Sequence, residues 1–195
     1  VPVTHKPSRW WRVRQWWRLL TNGSYIIPTV AHLARKFGFA VIYSELRGRV
    51  LHADGSVTDY GLLGRNLVTT AGVAFLADDF GAGGSEISNM KYHGYGTGTT
   101  AESAAHTALV TELTTEYVTN STRPTGSQAD STNTYTTVGT LSPDSGGTLA
   151  ITEHGIFSAD AAGTMWDRTV FSAVNLVASS DSLQTTYVAT FPSGG

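Results

Sequence analysis

The stretch Ser182-Leu-Gln-Thr-Thr-Tyr-Val-Ala-Thr-Phe191 alternates between two sets of side chains. Successive side chains of a β-strand point to opposite faces of the sheet. As a strand, this stretch would place Leu183, Thr185, Tyr187, Ala189 and Phe191 on one face. The opposite face would carry mostly polar residues. The pattern therefore predicts a β-strand that turns its apolar face toward a core.

Similar short segments fill the chain after Gly81, where Gly, Ser, Thr, Asn and Pro divide runs that are rich in Thr, Val, Tyr and Phe. Such spacing is typical of a β-sandwich or a barrel. The other predicted strands are Ile87–His93, Leu113–Thr119, Asn133–Leu141, Leu149–Ser158 and Met165–Phe171. We predict a hairpin loop at Pro143–Gly147 and an exposed loop at Thr122–Thr132.

A hairpin and a helix precede this region. Two strand-like runs in Val50–Tyr60 flank Asp54-Gly55, a pair that suits a type I′ turn. Thr69–Gly81 begins with a capping Thr and ends with Gly, which predicts a helix. We expect the helix to lie on the sheet through the residues at helical spacing, which are Val73, Leu76, Ala77 and Phe80.

An aromatic and basic segment near the start, Arg9-Trp-Trp-Arg-Val-Arg-Gln-Trp-Trp-Arg-Leu-Leu20, holds four of the five tryptophans. We call Arg9–Leu20 the Trp/Arg arm. In a helix, one arc of roughly 120° would contain Trp10, Val13, Trp16, Trp17 and Leu20. A helix this short is not stable alone. Something else must therefore cover these indoles.

Four surfaces are compatible with the Trp/Arg arm: another protein, a membrane surface, a nucleic acid or the arm's own domain. Trp and Arg dominate buried protein interfaces, so protein docking is the favoured interpretation. The predicted partner-binding residues are Arg9, Trp10, Trp11, Arg12, Val13, Arg14, Trp16, Trp17, Arg18 and Leu20.

Charge is distributed unevenly along the chain. Residues 1–65 contain ten Lys or Arg against three acids, a net charge of +7, whereas residues 66–195 contain three against twelve, a net charge of −9. We predict an N-terminal region over residues 1–24 that is rich in Trp and Arg and contains the Trp/Arg arm, a basic linker region with the hairpin over 25–65, and an acidic jelly-roll-like domain over 66–195. This polarity favours contact between the front of one copy and the body of another.

Several classes of site and segment are not indicated. Cysteine is absent, which excludes disulfides and thiolate sites. No apolar run is long enough for a membrane span, and no export signal is recognisable. No pair of histidines has the spacing of a helical zinc site, and none of the familiar nucleophile or phosphate-loop motifs occurs. We therefore expect no metal, no cofactor and no enzymatic activity.

Two interior features invite chemical interpretations. The glycine-rich Tyr92–Glu102 superficially resembles a phosphate-binding loop, but the strand-rich sequence after it offers no parallel crossover, so a corner between sheet layers is favoured. Glu153 and Arg168 fall in predicted neighbouring strands and could pair across them. A pocket that gathers His93, His154 and an acid would instead indicate an enzyme.

From near Gly61 to the end, the sequence resembles a family of tailed-bacteriophage virion proteins. The likeness is carried by Gly64-Arg-Asn-Leu-Val-Thr-Thr-Ala-Gly-Val73, Tyr92-His-Gly-Tyr-Gly-Thr-Gly-Thr-Thr-Ala-Glu102, Thr107-Ala-Leu-Val-Thr-Glu-Leu113, Arg123-Pro-Thr-Gly126, Ile151-Thr-Glu-His-Gly-Ile-Phe157, Asp167-Arg-Thr-Val-Phe171 and Asp181-Ser-Leu-Gln184. The resemblance implies a mainly β fold, a jelly-roll-like antiparallel β-sandwich with one or two short helices. It implies no catalytic residues, and residues 1–60 lie outside it.

The resemblance further implies a structural role in the virion. The first expectation is a capsid cement (decoration) protein, a homotrimer on the capsid surface that bridges neighbouring major capsid subunits. The alternative is a tail or fibre component that binds host-surface glycans through loops such as Thr122–Thr132 or Tyr92–Thr100. The major capsid protein is the expected partner, and we expect neither a membrane nor a nucleic acid as a partner.

Overall fold

A computed structural model of the chain describes residues 4–5, 42–81, 84, 86–114, 117, 122–144, 148–177 and 180–191. The Trp/Arg arm lies outside the described residues. The described residues form nine strands, one α-helix and one 3₁₀ turn at Ile87–Asn89. The elements are β1 (Thr4–His5), β2 (Tyr43–Leu51), β3 (Val57–Val68), α1 (Thr70–Phe80), β4 (Tyr92–Gly96), β5 (Ser127–Ser131), β6 (Thr134–Leu141), β7 (Leu149–Phe157), β8 (Met165–Leu176) and β9 (Ser182–Thr190).

The strands follow the order β4-β7-β8-β3-β2-β9-β6-β5, and every pair along this path is antiparallel. The short β1 lies parallel to β3. We call β5, β6, β9, β2 and most of β3 sheet A, and β4, β7 and β8 sheet B. The end of β3 joins them, because Leu67 and Val68 pair with β8. This curled arrangement confirms the predicted mainly β, jelly-roll-like antiparallel sandwich.

The core lies between the two sheets. It takes Leu46, Leu63 and Leu183 from sheet A and Ile156 and Phe171 from sheet B. The alternation in β9 is confirmed, because the described burial pattern alternates between buried and half-buried residues along the whole strand. Burying this much apolar surface is the main source of stability in a chain without disulfides.

The predicted hairpin is confirmed as β2 and β3, but its turn is not type I′. Gly55 alone adopts positive φ, at 80°, and its N–H donates to the carbonyl of His52. The carboxylate of Asp54 accepts a hydrogen bond from the N–H of Ser56, which holds Asp54 in an ordinary turn conformation. The hairpin, predicted within the 25–65 linker region, supplies two strands of sheet A.

Helix α1 is confirmed, and the hydroxyl of Thr69 caps it by accepting the N–H of Gly72 at 2.9 Å. The predicted contact face is confirmed at Leu76 but wrong at Val73, Ala77 and Phe80. Val73 is 57% exposed and Phe80 is 84% exposed, whereas Gly72 is buried and Leu76 packs against the core. The reason is Gly72, where an added Cβ would collide with the backbone of Trp166. This close approach to β8 orients the helix.

Several other expectations fail in the described residues. Ile87–His93 is a 3₁₀ turn followed by the start of β4. Most of the predicted strand Leu113–Thr119 lies outside the described residues, and Tyr117, which is described, forms an isolated bridge with Pro143. Thr122–Thr132 is not a plain loop, since it contains the edge strand β5. Tyr92–Thr100 is not an exposed loop either, because β4 is largely buried.

The connection between β6 and β7 also differs from the prediction. Pro143–Gly147 does not close a hairpin, because β6 pairs with β5 and β9 in sheet A whereas β7 pairs with β4 and β8 in sheet B. Residues 145–147 lie outside the described residues. Turn composition marks the end of a strand correctly but does not specify which strand comes next in space.

Candidate functional site

His93 and His154, which the sequence singled out, meet in the interior. His93 lies on β4 and His154 on β7, and His93 Nδ1 is 3.0 Å from His154 Nε2. Hydroxyls of sheet A complete the cluster, because His93 Nε2 is 3.1 Å from Thr137 Oγ1 and His93 Nδ1 is 3.2 Å from Thr185 Oγ1. The histidine pair thus ties sheet B to sheet A.

Both imidazoles are fully buried. Burial lowers the pKa of His93 to about 3, and burial together with the neighbouring His93 lowers the pKa of His154 well below its usual value. Both rings are therefore neutral at pH 7. The acid that a catalytic interpretation requires is not among the hydrogen-bond partners of either ring within the described residues. Nor do three His, Asp or Glu side chains converge on a possible metal position there.

The predicted pair of Glu153 and Arg168 is confirmed. Arg168 Nη2 lies 2.7 Å from Glu153 Oε2, and both side chains are fully buried. The carboxylate also accepts backbone N–H groups of Gly98 at 3.1 Å, Val110 at 3.1 Å and Thr111 at 2.7 Å. These hydrogen bonds hold the following loop on sheet B, and residues 101–113 form turns and bends.

Arg168 completes the attachment of the glycine-rich corner. Its guanidinium donates to the carbonyl of Thr100 through both terminal nitrogens, at 3.0 Å each. The buried ion pair between Glu153 and Arg168 therefore links the segment between β4 and Leu113 to sheet B. The corner interpretation of the glycines agrees with this arrangement, because an added Cβ at Gly98 would collide with the Glu153 carboxylate.

A second arginine, Arg123, holds another loop. It forms a two-pronged ion pair with Glu112, with Nε to Oε1 at 2.5 Å and Nη2 to Oε2 at 2.9 Å. It also donates to the carbonyls of Ala159 and Ala162, and its guanidinium lies 3.5 Å from the Phe157 ring centroid. Sequence reasoning missed this contact because Arg123 falls in a stretch with the composition of an exposed loop.

Asp167 is the third buried charged group of sheet B. Asn66 Nδ2 and Ser44 Oγ donate to its carboxylate at 3.1 and 2.9 Å. Burial raises the pKa of Asp167 to about 6, an increase that these hydrogen bonds partly oppose. No sequence pattern indicated this group, because its hydrogen-bonding partners come from separate strands.

One groove opens between the 3₁₀ turn, the edge strand β5 and the strands behind them. Its volume is about 360 Å³, at the small end of ligand-sized cavities. Its lining includes Met90, Tyr135, Ile156, Trp166, Tyr187 and Phe191, with Ser88, Gln128 and Asp130 among the polar residues. We call this the aromatic groove. It draws residues from six parts of the chain, so no local motif could have predicted it.

Polar atoms of the aromatic residues are already satisfied inside the groove. Tyr135 Oη donates to the carbonyl of Met90 at 2.8 Å, and Trp166 Nε1 donates to Tyr187 Oη at 2.8 Å. Gln128 Nε2 donates to Tyr135 Oη at 2.9 Å. The groove therefore offers apolar ring surface to an occupant, with Asp130 as the charged residue of its lining.

The chain matches no protein-family model and no curated protein. Among the described residues, no helix is both long enough and apolar enough to cross a membrane.

Proposed function

We propose that this chain is a non-enzymatic structural protein of a tailed-phage virion, a capsid cement (decoration) protein. In this proposal a homotrimer sits on the capsid surface and bridges neighbouring major capsid subunits. The basic Trp/Arg arm supplies the contact with those subunits. Its indoles provide apolar area and its arginines fix the register through charge-assisted hydrogen bonds.

The observation that carries the proposal is how the buried charged groups are used. Glu153 and Arg168 are bonded to each other and to loop backbone, and Arg123 is bonded to Glu112 and to loop carbonyls. Such bonding suits a rigid particle component with long ordered loops. The sequence likeness to virion proteins and the separation of basic front from acidic body point in the same direction.

Purified virions provide the test. Mass spectrometry should find several hundred copies per particle, and cryo-EM should place the sandwich on the outer shell. A variant without residues 1–20 should fold but no longer attach to the particle. Absence of the protein from the shell would overturn the proposal, and undiminished attachment of the shortened chain would place the contact elsewhere.

The aromatic groove supports a second candidate, a tail or fibre component that binds host-surface glycans. Ring faces such as Tyr135 and Phe191 suit sugar rings, and Gln128 and Asp130 offer polar atoms beside them. This candidate predicts a handful of copies per virion and binding of the isolated protein to host cells. Alanine at Phe191 should abolish that binding, because it removes a ring that is 40% exposed and lines the groove.

A further inference from the structure

The aromatic groove has the chemistry to hold one large apolar ring. Its aromatic hydroxyls and indole nitrogen are engaged within the protein, so an occupant finds few hydrogen-bonding partners in the interior of the groove. A sugar brings many hydroxyl groups that would lose their bonds to water there. A tryptophan side chain brings broad ring surface and one N–H donor, which suits such a lining better.

Acidic groups lie around the groove. Asp130 lines it, Glu86 directly precedes the lining residue Ile87, and Asp79 Oδ1 accepts the N–H of Ile87 at 3.3 Å. The described residues that line the groove include neither lysine nor arginine. The surroundings therefore favour an aromatic side chain that is flanked by positive charge.

The Trp/Arg arm contains that combination twice, as Trp10-Trp11-Arg12 and Trp16-Trp17-Arg18. Elsewhere the chain has one tryptophan, Trp166, which is itself part of the groove. The arm is thus the segment of this chain whose chemistry matches the groove.

The position of β1 limits how far the Trp10-Trp11-Arg12 unit reaches toward the groove of its own copy. His5 pairs with Thr58 near the hairpin turn, and Ala189 in the groove pairs with Ser44 at the opposite end of sheet A. Since Thr58 pairs with Val50, six residue steps of β2 and three strand spacings separate these points, about 25 Å along the sheet. The backbone of Trp10 can lie at most about 17 Å from His5, since an extended residue spans about 3.4 Å.

We propose that the aromatic groove binds a tryptophan of the Trp10-Trp11-Arg12 unit from a second copy of the chain, with Arg12 near the groove's acidic groups. The second unit, Trp16-Trp17-Arg18, remains for other partners. This deepens the proposed function, since it rests on the homotrimer and identifies a contact that would hold its copies together.

Sedimentation of the purified full chain tests the proposal without any virion. D130K should weaken self-association roughly tenfold or more, because it places a cation beside an incoming arginine. The matched control is D144K, which makes the same charge change at an exposed residue beyond the opposite end of β6 and should alter self-association less than about twofold. Equal effects of both variants, or a wild-type chain that remains monomeric, would overturn the proposal.

The two units of the arm can be distinguished in the same assay. Replacing Trp10 and Trp11 together with alanine should weaken self-association at least as much as D130K. Replacing Trp16 and Trp17 together should leave it nearly unchanged. The reverse ranking would overturn the assignment. Thermal unfolding of each variant checks that the sandwich is intact, so a loss of association is not mistaken for a loss of folding.

Disulfide cross-linking distinguishes contact between copies from contact within one copy. The chain has no cysteine of its own that could form a competing disulfide. A mixture of S8C and S88C chains should form disulfide-linked mixed dimers, whereas S8C mixed with A53C, in the distant hairpin turn, should not. Closure within single chains of an S8C/S88C variant, without mixed dimers, would overturn the proposal. If mixed dimers form but virions lack the protein, the proposed function fails while this contact stands.

Discussion

At the residue scale, Glu153 connects sheet B to the segment 97–113. Its carboxylate is fully buried and accepts Arg168 together with three backbone N–H groups. A buried carboxylate is stable only while its charge is paired and its oxygens are bonded. Removal of either partner leaves a charge in the interior, so the pair acts as a unit.

This unit predicts a large effect of R168M. We expect the free energy of unfolding to fall by about 3–5 kcal/mol, because Glu153 is left buried without its cation. Urea denaturation measures the change. The matched control is R47M, since Arg47 pairs with Glu45 at 3.5 Å with its side chain 56% exposed. That surface pair should contribute less than about 1 kcal/mol. Similar losses in both variants would contradict the structural role of the buried pair.

The buried titratable groups determine how stability changes with pH. His93 has its pKa lowered to about 3, so it favours the folded state above pH 6.5 and loses that contribution as the pH falls. His154 acts in the same direction. Asp167 acts in the opposite direction. Its pKa is raised from 3.8 to about 6, so its contribution is present below pH 3.8 and is lost as the pH rises through 6.

Between about pH 4 and 6 the proton that the unfolded chain binds at His93 is offset by the proton that the folded protein holds on Asp167. D167N removes this offset, and stability should then rise with pH more steeply than in the wild-type protein, by up to about 1.4 kcal/mol per unit. Unfolding by urea at a series of pH values tests this. A slope that is unchanged in D167N would show that Asp167 is already ionised throughout the range.

At the element scale, helix α1 is placed by Gly72 rather than by its apolar stripe. The close approach to the Trp166 backbone leaves Val73 and Phe80 on the outer side. Leu76 packs against the core on the inner side. The structure thus places Leu76 as expected but turns Val73, three positions earlier, away from the core.

This orientation predicts different effects of two truncations. L76A should reduce the free energy of unfolding by about 1–2 kcal/mol, because it removes half-buried apolar contacts. V73A should change it by less than about 0.5 kcal/mol, since alanine also favours the helix. Thermal or urea unfolding decides between them. A greater loss of stability in V73A than in L76A would instead place Val73 on the contact face, as the sequence pattern indicated.

The same scale shows what could be predicted from the sequence. Strands β6 to β9 were found because turn residues divide runs that are rich in Thr, Val, Tyr and Phe, and β9 also alternates locally. Strand β5 was missed because Ser127-Gln-Ala-Asp-Ser131 is an exposed edge with no large apolar residue. Pairing between Glu153 and Arg168 was predictable from neighbouring strands. The aromatic groove and the histidine cluster were not, since their residues come together only through the strand order.

At the scale of the whole molecule, charge is divided between a basic front and an acidic body. Self-association between them should depend strongly on salt. We expect the dissociation constant of the purified oligomer to rise as sodium chloride increases from about 0.1 M to 1 M, because the screening length falls from about 10 Å to 3 Å. Sedimentation across that range measures it. An association that strengthens with salt would indicate a purely apolar contact.

The place of β9 in sheet A has a consequence for synthesis. This last strand lies between β2 and β6, and its pairs with β2 join residues about as far apart in sequence as any in the described fold. While the chain emerges from the ribosome, the edges of β2 and β6 that pair with β9 remain unpaired until β9 has been synthesised. Long-range pairing of this kind makes folding slow and leaves strand edges exposed meanwhile. The sandwich closes only after β9 has been synthesised, and a nascent chain stalled before Ser182 should remain sensitive to protease.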